Sequence, residues 1–138
     1  EAANKSRPDH LKEPTIWNGG YTLFIHYTET EPHQGKVLYK HWHSELEFFI
    51  LISGSIEFHA EDSVYNLLPT DAVFIPPYCL HEAISDAPCS FYAIVFQPGF
   101  LIEDTSSYLY RKYIRPIYSN TDKLIHRFHY QAESESSW

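Results

Sequence analysis

The chain has 138 residues, of which 43% are hydrophobic and 20% are charged, as expected for one globular domain with a single core. A formal net charge of -8 and the lack of any basic run exclude a surface built to grip phosphates, so the chain by itself is not expected to bind nucleic acid. No apolar stretch approaches the roughly 18 residues that a membrane span requires, so no membrane segment is predicted.

The first two predicted regions are an arm and a β-domain. Residues 1–15 are polar with two prolines and are predicted to form a flexible N-terminal arm. Residues 16–100 hold short runs rich in Val, Ile, Tyr and Phe, bounded by turn-forming residues and without a helical period. The predicted strands are 21–28, 36–43, 45–53, 55–61, 63–68, 72–76, 81–85 and 90–96. Their regular spacing favours an all-β fold, an antiparallel sandwich or barrel.

Residues 101–138 have a different texture and are predicted to form a mixed, partly helical tail. A helix start is predicted at residues 104–106, and Leu124 and Phe128 lie at helical spacing. Because the bulky apolar Trp138 ends an otherwise polar segment, we expect the natural chain to continue past it.

Four residues with metal-ligating side chains are spaced so that a sheet can bring them together. His41 and His43 are two apart on a predicted strand and therefore share one face, and Glu47 has the same parity. His81 lies just past a turn, at the mouth of a later strand that an antiparallel fold can place beside the first. Three imidazoles and one carboxylate suit one divalent transition metal such as Zn, Ni, Fe or Mn. The alternative is that these residues hydrogen-bond a ligand or water without a metal.

Further residues are candidates for the wall of a ligand pocket around this set. Alternation places Tyr39 on the face of His41 and His43, and Glu45 shares the parity of Glu47 and is its rival for the carboxylate role. The predicted pocket residues are Tyr39, Phe24, Phe49, Tyr78 and Glu45. Strand core is the alternative for most of the aromatic residues. Four other histidines are predicted to lie on the surface: His26, His59, His126 and His129.

The same residues carry a resemblance to the cupins. The first cupin motif, G-x5-HxH-x3-E-x6-G, is matched in full by Gly35, His41, His43, Glu47 and Gly54. In the second motif, G-x5-PxG-x2-H-x3-N, two positions match, Pro76 and His81. Three positions depart from it: Thr70, Tyr78 and Ser85 stand where Gly, Gly and Asn are expected. The resemblance implies a double-stranded β-helix, or jelly-roll barrel, and the departures weaken an inference of catalysis.

The chain is also similar to the N-terminal sensor domain of AraC-type transcription regulators. The similarity lies in an HWHxxxE strand at 41–47, an IPP…H turn at 75–81 and an F.P.FL exit at 96–101. It implies a cytoplasmic, non-enzymatic module that binds a small-molecule effector, often a sugar or other metabolite, and forms a homodimer. It also implies a DNA-binding region of two helix-turn-helix motifs beyond residue 138.

Two other functions remain open at this point. The intact first motif is compatible with a stand-alone metal-dependent cupin enzyme, such as a dioxygenase or a sugar isomerase. The aromatic content of 17% is compatible with a carbohydrate-binding or storage cupin outside the cell.

Overall fold

The computed structural model describes residues 9–13, 23–97, 104–119 and 125–129. Within these residues nine strands form two antiparallel sheets. They are β1 (Leu23–Thr30), β2 (Lys36–His41), β3 (Leu46–Ser53), β4 (Ile56–Ala60), β5 (Ser63–Leu67), β6 (Ala72–Ile75), β7 (His81–Ile84), β8 (Cys89–Phe96) and β9 (His126–Phe128). One sheet has the order β1-β8-β3-β6-β9 and the other has the order β2-β7-β4-β5. Each of the eight predicted strands overlaps one observed strand, and the all-β jelly-roll prediction is confirmed.

The apolar core lies between the two sheets and is built from alternate strand residues. Phe49 and Leu51 of β3 are fully buried, and so are Phe58 of β4 and, almost completely, Phe91 of β8. The ring centroid of Phe49 lies 4.9 Å from that of Phe58 and 4.6 Å from that of Phe91. These contacts place the aromatic side chains in the offset and tilted arrangements that such pairs favour. The core therefore fills the space between the sheets at one end of the barrel with apolar side chains.

The C-terminal part of the described chain is partly helical. A π-helical turn, Tyr110–Ile114, continues directly into α1 (Arg115–Ser119), and this confirms the short C-terminal helical segment. The helical spacing around Phe128 gave a wrong prediction, because His126–Phe128 is a strand that pairs with β6 at the edge of the sheet. Leu124 lies outside the described residues. None of the described helices has the length and hydrophobicity that a bilayer crossing requires.

Residues 9–13 belong to the predicted arm and are seated against the barrel. Asp9–Leu11 form a 3-10 turn, and Lys12 makes an isolated parallel bridge with Trp42. The Glu13 N–H donates to the Trp42 carbonyl at 2.9 Å, and the Trp42 N–H donates to the Leu11 carbonyl at 3.0 Å. These two hydrogen bonds hold Glu13 beside the strand that carries the predicted metal ligands.

Two turns hold residues with a Cβ in the left-handed backbone region. Thr70 has φ of 75° and Tyr78 has φ of 66°, and both stand where the second cupin motif has glycine. Left-handed backbone costs a residue with a Cβ about 1–2 kcal/mol. Backbone hydrogen bonds hold both turns, from the Thr70 N–H to the Leu51 carbonyl at 2.7 Å and from the Tyr78 N–H to the His43 carbonyl at 2.8 Å. The turns thus keep the cupin geometry without its glycines.

Candidate functional site

A cavity of about 470 Å³ opens between the two sheets, at the barrel end that the aromatic core leaves unfilled. Its wall is apolar on most sides, with Phe24 of β1, Leu38 of β2 and Val95 of β8 among the lining residues. Its inner end is polar, and the polar groups come from the predicted metal-ligand set. A mostly apolar cleft with a few convergent polar groups is the usual form of a small-molecule site.

Three histidines meet at this polar end. His41 ends β2 and pairs in register with His81, the first residue of β7, while His43 follows β2 after one intervening residue. Ring centroids are 4.1 Å apart for His41 and His81 and 5.1 Å apart for His43 and His81. One potential ligand atom from each ring lies within 4.8 Å of the other two. The spacing prediction for these three histidines therefore describes a real cluster.

Backbone carbonyls fix the orientation of all three rings. The Nδ1 atom lies 2.7 Å from the Tyr39 carbonyl in His41 and 2.8 Å from the Cys79 carbonyl in His81. In His43 it lies 3.2 Å from the carbonyl of Glu45. Because a carbonyl oxygen only accepts, each Nδ1 must carry a hydrogen and each neutral ring presents the lone pair of Nε2. Each ring thus directs one nitrogen that is able to ligate a metal into the cluster, while its other nitrogen is held by a backbone carbonyl.

Glu47 of β3 supplies a carboxylate to this cluster. Its Oε2 lies 3.3 Å from His81 Nε2, and its Oε1 lies 3.7 Å from His43 Nε2. Burial raises the pKa of Glu47, but the contacts with His43 and His81 outweigh it and hold the pKa well below its usual range. Burial likewise lowers the pKa of His43, and the contact with Glu47 outweighs it and raises the pKa. Glu47 is thus an anion buried against imidazoles.

Glu13 brings a second carboxylate to the cluster from the N-terminal segment. Its Oε2 lies 3.1 Å from His41 Nε2, and its side chain lines the cavity while remaining 57% exposed. Burial and the neighbouring His81 lower the pKa of His41, against smaller opposite effects of the Tyr39 carbonyl and Glu13. Sequence reasoning missed Glu13, because its position depends on the bridge between Lys12 and Trp42, for which the sequence carries no signal.

The donor set fits a divalent transition metal. His43 Nε2, His81 Nε2 and Glu47 Oε2 are buried and have no hydrogen-bond partner among the described residues. Carboxylate oxygens at 3.1 and 3.3 Å from ring nitrogens that present lone pairs are stable only if a positive charge, a proton or a metal ion, lies between them. Three imidazole nitrogens and a carboxylate oxygen suit zinc, nickel, iron or manganese. His41, His43, His81 and Glu47 would hold the ion, and it would supply a Lewis acid at the inner end of the cavity.

The predicted pocket residues on β1, β2 and β3 take different positions. Phe24 lines the cavity, and so does His26, which is exposed as predicted. Phe49 is completely buried in the core and does not line the cavity. Tyr39 is 60% exposed, because shifts in the register between β2 and β7 break the alternation and turn Leu38 towards the cavity instead.

The remaining two predicted pocket residues lie in a different place. Tyr78 and Glu45 line a second cavity of about 390 Å³ beside the C-terminal helical segment, together with Tyr110 and Tyr118. Burial, together with the neighbouring Tyr110, Tyr78 and Glu45, raises the pKa of Tyr118 well above its usual range. Glu45 Oε2 lies 3.6 Å from His43 Nδ1, on the opposite side of that ring from the metal-ligand cluster. The structure thus separates Glu45 from Glu47, which sequence parity placed on one face.

The sheet order and the histidine cluster together define a cupin barrel, and solved cupin structures share this fold. A cupin 2 conserved barrel domain protein from Salinispora arenicola is 19% identical, with a TM-score of 0.50 over 64% of this chain and 76% of that one. A cupin superfamily protein from Desulfitobacterium hafniense is 13% identical, with a TM-score of 0.50 over 54% of this chain and 67% of that one. The DMSP lyase DddQ from Ruegeria pomeroyi is 23% identical, with a TM-score of 0.50 over 56% of this chain.

The family is narrower than the fold. The sequence model of the AraC-like ligand binding domain matches residues 26–137, most of the chain. The chain therefore belongs to the AraC-like ligand-binding domains, as its sequence resemblance predicts. No curated protein sequence matches it significantly. The aligned part spans only 39% of the DMSP lyase, so that likeness describes the barrel alone.

Proposed function

We propose that the chain is the effector-sensing domain of an AraC-type transcription regulator that acts in the cytoplasm as a homodimer. A small molecule, a sugar or a related metabolite, binds in the cavity between the sheets. DNA binding resides in a C-terminal helix-turn-helix region. The effector acts by its different affinity for two arrangements of the regulator, and this difference sets the size of the response.

The observation that carries this proposal is the cavity itself. It combines a volume of about 470 Å³, apolar walls and one polar end, and it lies within the region that matches the ligand-binding family. Phe24, Phe91 and Val95 offer contact area to a hydrocarbon or ring. His41, His43 and Glu47 offer polar contacts that fix the orientation of a bound molecule.

The test is a thermal-shift screen of a small-metabolite library on the purified chain. A true effector raises the unfolding temperature, and the rise grows with the logarithm of its concentration once that concentration exceeds the Kd. Ala93→Phe fills the cavity wall and should abolish the shift, whereas Val64→Phe, on the exposed side of β5, should leave it unchanged. A compound that stabilises both variants equally binds elsewhere. If every stabilising compound behaves in that way, the proposal is wrong.

A second candidate function, a metal-dependent cupin enzyme, is favoured by the convergence of three Nε2 atoms and Glu47. Metal analysis of purified protein and a turnover assay with the loaded chain test it, with His41→Ala as the inactive variant. Turnover that disappears in His41→Ala would support the enzyme. Metal-free protein that still binds its effector with unchanged affinity would remove any role of a metal in sensing.

A further inference from the structure

The cavity already holds a carboxylate that does not come from the barrel. Glu13 reaches it from the N-terminal segment, and its Oε2 lies 3.1 Å from His41 Nε2. Two backbone hydrogen bonds to Trp42 fix the segment at this point. The side chain of Glu13 is 57% exposed, whereas that of Glu47 is 6% exposed. The two carboxylates at the histidine cluster therefore differ greatly in how easily another group can replace them.

The two carboxylates contact different histidines of the cluster. Glu47 faces His43 and His81, and Glu13 faces His41. The chain thus places one carboxylate opposite each part of the cluster, and a molecule that contacts His41 Nε2 from the cavity would take the position that the Glu13 carboxylate occupies. The structure thus already accommodates a carboxylate at the exposed side of the cluster, with an oxygen directed towards His41 Nε2.

We propose that the effector carries a carboxylate and that this group takes the position of the Glu13 carboxylate beside His41 Nε2. The inference rests on the proposed function and selects, among the small metabolites that it considers, those that carry a carboxylate. The rest of the effector lies along Phe24, Leu38 and Val95, which favours a hydrocarbon or aromatic body. Glu13 acts as an internal competitor and sets the concentration at which the effector binds.

The experiment compares charged and neutral probes of the same shape. The probes are acetate and 3-phenylpropanoate, their matched amides acetamide and 3-phenylpropanamide, and D-glucose. Binding to the whole chain is measured by calorimetry and by the imidazole NMR signals of His41. The variants are Glu13→Ala and Glu13→Gln. Glu57→Ala is the control, because Glu57 makes a similar exposed contact with a histidine, 3.4 Å to His59 Nε2, and neither residue lines the cavity.

The expected result is selective. If Glu13 occupies the position about nine-tenths of the time, both Glu13 variants bind the carboxylates about tenfold more tightly than the unaltered chain. Binding of the amides stays weak in every variant, Glu57→Ala behaves like the unaltered chain, and the His41 signals shift on binding.

Three outcomes would overturn the inference. They are equal or weaker carboxylate binding after removal of Glu13, amides that bind as tightly as the acids, and a chain that binds neither acid in any variant. The proposed function fails separately. Binding of D-glucose or another neutral metabolite in the cavity keeps the sensor proposal and removes the carboxylate, whereas a library screen without any cavity ligand removes the sensor itself.

Discussion

The same strands form both ends of the barrel, but one end holds the apolar core and the other holds a cavity with polar groups. In β3, Glu47 lies at the polar end, and the next residues of the same parity, Phe49 and Leu51, lie in the sealed core. In β7, His81 lies at the polar end, and Ala83 two residues later lies in the core. The core end is filled and stabilises the fold, while the polar end keeps a cavity and buried polar atoms without hydrogen-bond partners.

In this barrel the position of a residue along its strand therefore decides whether it can contribute to binding or to the core. Residues that share one inward face change from ligating to apolar within two positions along a strand. Stability and binding should therefore respond to separate sets of substitutions, and that separation can be tested.

The largest effect is expected from the filled end. Phe58→Ala removes a completely buried ring that packs on Phe49, and it should lower the free energy of unfolding by about 3–5 kcal/mol. Urea unfolding measures this loss. Val64→Ala, on the exposed side of the neighbouring strand, is the control and should stay within about 0.5 kcal/mol. A loss below 1 kcal/mol for Phe58→Ala would mean that this end is not the stabilising one.

A substitution at the polar end, His81→Ala, should lower the affinity for zinc rather than the stability of the fold. Replacing a residue that only supports a metal ligand typically costs 10–100-fold in affinity, so if His81 ligates the metal, its loss should cost more than about 100-fold. Zinc affinity of His81→Ala by competition with a chelating dye measures it. His59→Ala, on the neighbouring strand β4, is the matched control and should bind zinc like the unaltered chain. Equal affinity in the two variants would contradict the assignment of the cluster.

Asp71 tests whether a buried carboxylate at the filled end serves stability alone. It accepts hydrogen bonds from the Leu68 N–H at 3.0 Å and from His129 Nδ1 at 2.8 Å. Asp71→Ala should cost about 1–2 kcal/mol and leave zinc affinity unchanged. Burial raises the pKa of Asp71, but these two hydrogen bonds outweigh it and lower the pKa.

The lowered pKa of Asp71 also predicts how the free energy of unfolding depends on pH. The stabilisation by ionised Asp71 is fully present above its unfolded pKa of 3.8 and is lost as the pH falls through the lower, folded value. Unfolding of Asp71→Asn and of the unaltered chain should therefore differ at pH 7 and converge below about pH 4. A difference that grows on acidification would contradict this sign.

The smallest expected effect is on stability, from glycine substitutions at the two turns with left-handed backbone. Thr70→Gly relieves left-handed backbone at an exposed position and, after the entropy cost of glycine, should stabilise the chain by about 0.5–1 kcal/mol. Tyr78→Gly relieves the same strain but removes a ring that lies 6.1 Å from Trp42 and 6.1 Å from Tyr118, so it should not stabilise. Thermal unfolding compares the two. A gain for Tyr78→Gly alone would reverse the argument.

The sequence was sufficient for what depends on local spacing. Strand parity predicted that His41 and His43 share a face, and the turn before His81 predicted its place at a strand mouth. Parity failed for Tyr39, because a register shift within β2 depends on its pairing with β7. It also failed to separate Glu45 from Glu47, since the chain between His43 and β3 is not extended.

Contacts between distant segments account for the rest. Glu13 reaches the cluster only through a bridge to Trp42, and Tyr78 faces Tyr118 only because the C-terminal helical segment packs beside that turn. Phe128 shows the same limit, because pairing with β6 overrides a helical spacing that the sequence favours. The spacing of residues in the sequence therefore predicted the histidine cluster with Glu47 and missed Glu13, which lies beside it.

Glu13 and Glu47 are held by different numbers of backbone hydrogen bonds, and this difference should affect how fast the backbone opens at each residue. Glu47 sits on β3, a central strand paired on both sides, with Ile75 and with Val95. Glu13 is held at the end of a two-hydrogen-bond bridge. Local opening is fastest where few backbone hydrogen bonds resist it. The amide hydrogen of Glu13 should therefore exchange with solvent long before that of Glu47. The N-terminal segment that carries Glu13 should open and close often, whereas β3, which carries Glu47, should open only when the barrel unfolds.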